Sequence, residues 1–251
     1  VTTPLLESAL AFPRGGGSAT LVADTSRTPG QGTTTAAVSV TCAAGTLLLA
    51  AVTWDSSVST TLTAAVAGGS LAWVVNVQAN TTSGTVGGGA AILTAYAAGA
   101  LSAQTITATV TSALATSLAI VTFTGADPVQ NGGTAVTDTS SAGLFANTYT
   151  SRRHLSWAWS AAYNWDGATQ GTPGTGQARA VSYTDNASDA GWVQQQNAAT
   201  VGAGVAVTSN TTAPSTHGHM ATLEVLPALI PEPPVLVPAR LWQPVARTYY
   251  L

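Results

Sequence analysis

The chain has 251 residues, 45% hydrophobic and only 7% charged, with a formal net charge of -3. That is too apolar for a disordered chain, and charge spread this thinly leaves no electrostatic footprint for nucleic acid. No apolar run approaches the roughly 18 residues of a membrane span, and the single cysteine, Cys42, excludes a cystine-stapled fold.

Residues 1–18 read as a flexible leader or short arm, with Leu5, Leu6, Leu10 and Phe12 ahead of the glycine joint Arg14-Gly-Gly-Gly-Ser18. The opening VTTPLLESALAF lacks a basic stretch before an apolar one, so no signal peptide is expected. Strand signals then follow over 19–24, 35–42, 46–54, 60–66, 71–78, 89–97, 104–111 and 117–124. The clearest is 104–111, where Ile106, Ala108 and Val110 alternate with threonines. Cys42 closes an apolar-polar run and reads as a small buried hydrophobe.

A stretch with few bulky residues occupies 125–150, and strands resume over 154–163, 177–183, 191–197, 202–208 and 218–226. Short strands punctuated by Gly, Thr, Asn and Ser turns predict an all-β fold, a jelly-roll-like two-sheet sandwich. One sandwich over 19–226 is favoured over a division within 125–150, because no proline-rich linker separates the halves.

Residues 227–251 are different. Pro227, Pro231, Pro233, Pro234, Pro238 and Pro244 each fix their own φ and remove an amide donor, so neither a regular helix nor a central strand fits. The same segment is strongly apolar, which makes it costly to leave in water. It reads as an extended arm that lies on its own body or a neighbour's, with a reach of about 80 Å. Leu236, Leu241, Trp242, Tyr249, Tyr250 and Leu251 are its candidate anchors, since interfaces concentrate energy in large apolar and aromatic side chains. Arg240 and Arg247 would set register against carboxylates.

In the body, Trp157, Trp159 and Tyr163 share one strand face, with Trp165 just beyond. That face reads first as core, because a core of small residues needs some large ones to reach native density. The alternative is a stacking platform for a glycan. The histidines His154, His217 and His219 and the carboxylates form no HExxH, CxxC or EF-hand spacing, so no metal and no cofactor are expected. No GxSxG elbow is present and no lysine exists for a phosphate loop; the chain is not expected to be an enzyme.

Gly45-Thr-Leu-Leu-Leu-Ala-Ala-Val-Thr-Trp54-Asp55, Thr61-Leu-Thr63, Ser70-Leu-Ala-Trp73 and Gln104-Thr-Ile-Thr-Ala-Thr-Val110 carry a resemblance, with Ser117 to Gly125 and Met220 to Leu226. Together they resemble the β-sandwich domain of minor tail and other virion structural proteins of tailed phages infecting actinobacteria. The resemblance covers about 19–226 and rests on apolar and threonine positions, so it carries over no catalytic residue. It implies a structural part of the virion tail, baseplate or capsid surface, made in the host cytoplasm. The partners it implies are other virion proteins and sister subunits in a homo-oligomer, with a trimer among the options and a host-surface glycan as the alternative ligand.

Overall fold

Thr46-Leu-Leu-Leu-Ala-Ala-Val52 is apolar at nearly every position, whereas Thr35-Ala-Ala-Val-Ser-Val40 alternates. The first pattern suits a strand covered on both faces and the second a strand with one wet face. A computed structural model of the chain describes residues 17–57, 61–80, 87–130, 134–138, 144–165, 167–212 and 218–230. Both kinds of strand occur in it.

The first part of the chain forms β1 (Val22–Asp24), β2 (Gly30–Gly32), β3 (Thr35–Cys42), β4 (Thr46–Asp55) and β5 (Ala64–Gly68). It continues with β6 (Val74–Asn80), β7 (Gly89–Ala97), β8 (Leu101–Val110) and β9 (Ala115–Thr124). The second part holds β10 (Thr134–Asp138), β11 (Leu144–Thr150), β12 (Trp157–Asn164) and β13 (Thr172–Pro173). It ends with β14 (Gln177–Thr184), β15 (Ala190–Gln196), β16 (Ala206–Thr212) and β17 (Gly218–Val225). Every pairing among these strands is antiparallel.

These strands make four sheets, where the sequence suggested two. An inner sheet runs β1-β9-β4-β7-β6, with β2 also on β9, and an outer sheet β3-β8-β5 covers one of its faces. A second inner sheet runs β10-β17-β12-β15-β14, and its outer partner is β11-β16-β13. The two inner sheets pack on each other through the largest core cluster, so the stack is outer, inner, inner, outer. Burial follows from this position: every residue of β4 and β17 is buried, while β3 alternates exposed and buried.

The second part repeats the topology of the first. Taking β1 and β3 to β9 in order onto β10 to β17 turns β1-β9-β4-β7-β6 into β10-β17-β12-β15-β14, and β3-β8-β5 into β11-β16-β13. Each half therefore contains an eight-stranded sandwich whose strands run 1-8-3-6-5 in one sheet and 2-7-4 in the other, with β2 an addition to the first half. The β4–β9 ladder starts at Leu47–Phe123 and the β12–β17 ladder at Trp157–Val225. Leucines in the first half thus stand where indoles stand in the second.

Between the inner sheets, Leu47, Leu49, Ala51, Val121 and Phe123 meet Trp159, Ala161, Tyr163, Leu223 and Val225. Phe123 meets Trp159 edge to face at 5.1 Å, and Trp157 meets Trp159 the same way at 5.2 Å. Close approach needs small residues beside the rings. A Cβ built at Gly89 would lie 2.1 Å from the Trp54 ring, and one at Gly88 would lie 2.8 Å from the Tyr163 ring.

Trp159 is fully buried in this layer, so Trp159→Ala is expected to cost about 3–5 kcal/mol. Val201, 82% exposed, should tolerate alanine within about 0.5 kcal/mol. Urea unfolding of the two variants tests the contrast.

Candidate functional site

The layer between the inner sheets opens at two ends, and the two ends differ in chemistry. At the first, three separate pieces of chain converge. Beyond β17, residues 226–230 run antiparallel first to 125–127, through the bridge Ala126–Pro227, and then to 17–19, through Ser18–Leu229. Backbone bonds close both steps: Asp127 N to Leu226 O at 2.9 Å, Ala228 N to Gly125 O at 2.8 Å, Ala19 N to Ala228 O at 2.8 Å and Ile230 N to Gly17 O at 2.7 Å. Gly125 permits the crossing, with φ of +75° and the Thr20 carbonyl oxygen 2.3 Å from where a Cβ would stand.

Side chains lock the junction. Arg153 Nη1 donates to Asp127 Oδ2 at 2.6 Å and to the Pro227 carbonyl, joining the segment before β12 to the connection between halves and to the exit from β17. Gln130 accepts from Leu226 N at 2.8 Å and donates to Asp127 O at 2.7 Å. Partial desolvation pulls Asp127 upward, but the Arg153 hydrogen bond, the Val129 amide and the Arg153 charge outweigh it and hold its pKa below the ordinary value. Beside the junction lies a groove of about 360 Å³, lined by Ala72, Val74, Thr94, Tyr96, Pro128 and Val129 among others. Val74 and Val129 are exposed.

The far end is acidic. Asp55 ends β4, and Asp185 and Asp189 sit in the turn between β14 and β15. Asp185 accepts from the Ala187 and Asp189 amides through Oδ1 and from the Tyr163 hydroxyl, at 2.6 Å, through Oδ2. Thr53 and Tyr183 hydroxyls meet at 2.8 Å across the two inner sheets. Desolvation, reinforced by the neighbouring Asp185 charge, raises Asp55. Desolvation, with the Asp185 and Asp55 charges, pushes Asp189 up to about 6. Burial also raises the Tyr163 and Tyr183 phenols. This is a protonation-sensitive seam; among the described residues no three His, Cys, Asp or Glu side chains are placed to hold a metal ion. The Asp185 side chain caps its own turn.

The residues singled out in the sequence fall as follows. Trp159 and Tyr163 are fully buried, Trp157 and Trp165 are half-buried against the same core, and the Trp157 indole donates to the Gln196 carbonyl. Trp159 and Tyr163, enclosed in the core, present no flat surface to a sugar. His219 is fully buried on β17, and His154 is exposed with Nδ1 3.0 Å from the Val201 carbonyl oxygen. Cys42 is half-buried, because it stands where β3 reaches the sheet end. Leu236, Arg240, Leu241, Trp242, Arg247, Tyr249, Tyr250 and Leu251 lie outside the described residues, as do 1–16, Asp166 and His217. Of the proposed arm, 227–230 are described, and they lie on their own body. The junction itself was missed in the sequence; its signals were the Asp127-Pro128 turn and the Arg152-Arg153 pair, whose second arginine bonds a carboxylate of its own chain.

In comparisons with known proteins the chain matches no family model, no curated protein and no solved structure. Function must therefore be argued from the geometry.

Arg153→Ala should raise amide exchange at Ala228 and Ile230 about tenfold, since a charge-assisted bond is worth about 1.5–3 kcal/mol and this one is partly exposed. Amides within β4 should keep their protection. The acidic end predicts a pH dependence. Asp189 takes up a proton near pH 6 when folded and near 3.8 when unfolded. The folded chain holds the extra proton between those values, so stability falls as pH rises through about 6. Asp189→Asn should flatten the change in urea midpoint between about pH 5 and pH 7.5.

Proposed function

We propose that this protein is a structural component of a larger particle, a virion tail, baseplate or capsid-surface part, and that it assembles through residues 231–251. The observation that carries this reading is the junction, where Arg153 ties the connection between halves to the exit from β17 and backbone bonds tie residues 17–19 to that same exit. Gly17 and Ile230, to which the segments 1–16 and 231–251 attach, are hydrogen-bonded to each other at this braced point. A rigid body with adjoining extensions is suited to linking copies in a fixed geometry.

Other features support it. Each half's strand orders, 1-8-3-6 with 2-7-4, correspond to the two sheets of a jelly roll in which the fifth strand has joined the other sheet. A surface poor in charge packs readily against other protein surfaces, whereas an independent monomer usually keeps about a quarter or more of its surface charged. The segment 231–251 offers Trp242, Tyr249, Tyr250 and Leu251 as anchors and Arg240 and Arg247 as register-setting charges.

Truncation after Ile230 tests the assignment. The shortened chain should keep its β-sheet circular dichroism and its unfolding midpoint, and should fail to form the oligomer or enter the particle that the full chain joins. Undiminished assembly by the truncated chain would remove the basis for this function.

A further inference from the structure

We infer that the groove at the junction end is the docking site for residues 231–251 of a second copy of this chain; the inference rests on the assembly reading above. The groove is unusual for this surface. Val74 and Val129 are 57% and 67% exposed, and both line it where β6, the edge strand of its sheet, passes the connection at 128–130. The β6 ladder to β7 shifts register between Val75 and Val77, within this edge strand. Apolar edge strands are normally short, charged or covered. This one carries no charge from Val74 to Asn80, so a cover of apolar chain is what its chemistry asks for.

The occupant follows from composition and position. Proline-rich segments dock in grooves that offer an aromatic ring and apolar walls, and this groove has Tyr96, Pro128, Val74 and Val129. Residues 231–251 carry Pro231, Pro233, Pro234, Pro238 and Pro244 among Val235, Leu236, Val237, Leu241 and Trp242. From Ile230 at the junction, 21 further residues can extend about 70 Å. Pro231, Pro233 and Pro234 bias the first residues toward extended backbone. A chain so biased is carried away from its own groove before it can reverse, which favours the groove of a second copy.

Disulfide trapping in the full-length chain tests this, with Cys42→Ala as background. One population carries Val129→Cys and a mass tag; the other carries a single cysteine, in separate variants Leu236→Cys, Leu241→Cys or Tyr250→Cys. Mixing under mild oxidation should give a covalent dimer of mixed mass. Val74→Asp in the tagged copy should lower its yield about tenfold, the loss expected when an apolar side chain no longer docks. Val129 and Val74 are exposed, and circular dichroism confirms that each variant is folded. A chain bearing both cysteines that closes only on itself overturns docking between copies. Absence of any trapped species overturns the groove. If the truncated chain also still assembles, the assembly reading falls with it; if truncation abolishes assembly, only the groove is lost.

Discussion

Everything in this fold depends on two sheets being buried on both faces. A β-sheet with both faces covered must carry apolar or hydrogen-bonded side chains at every position, which removes the alternation usual in antiparallel sheets. β4, β9 and β17 meet that condition mostly with Leu, Ala, Val, Thr and Ile, although β17 also buries His219 and Glu224. The low charge of the chain follows in part from the same cause, because the central strands of two sheets have no solvent face to decorate. Several buried polar residues of the second half are joined in a network. Ser160 meets Ser209 at 2.6 Å and Thr222 at 2.9 Å, and Asn147 donates to Met220 O and Thr222. A buried hydroxyl without such a partner would cost about 1–3 kcal/mol.

Duplication of one topology does not make the halves interchangeable. Leu47 and Leu49 line the shared layer from the first half, and Trp157 and Trp159 from the second. Two identical faces bearing indoles would collide, and two bearing only leucine and alanine would leave voids; unequal side chains fill the space. That asymmetry also explains why the tryptophans concentrate in one strand. What the sequence presents as an aromatic platform is half of a filled layer.

Much of the fold was legible. The strand at 89–97 and the alternation of Ile106, Ala108 and Val110 stand where the pattern puts them. The all-β class follows from the absence of helical periodicity. The number of sheets was not legible, although the uninterrupted apolar run of β4 held the clue. Periodicity distinguishes one wet face from none, but it does not say what covers the second face. Short strands such as Gly30–Gly32 and Thr172–Pro173 were invisible because they pair through backbone alone, with no apolar signature. The repeat was hidden because corresponding positions differ in size, and the junction because it is made of long-range backbone bonds. Of the aromatic residues proposed for a site, Trp159 and Tyr163 are fully buried and serve packing, while Trp157 and Trp165 are half-buried against the same core.

The two ends of the central layer set how this body can respond to its surroundings. At the acidic end, Asp55 and Asp189 are held partly out of water near Asp185, so ionisation there works against the packing of the inner sheets. At the junction end the opposite holds: Asp127 is stabilised as a carboxylate by Arg153, which fastens the exit of β17. Acidification to about pH 5 would relieve the first end without releasing the second, because Asp127 titrates below its ordinary value. Strain and anchorage are thus placed at opposite ends of one layer.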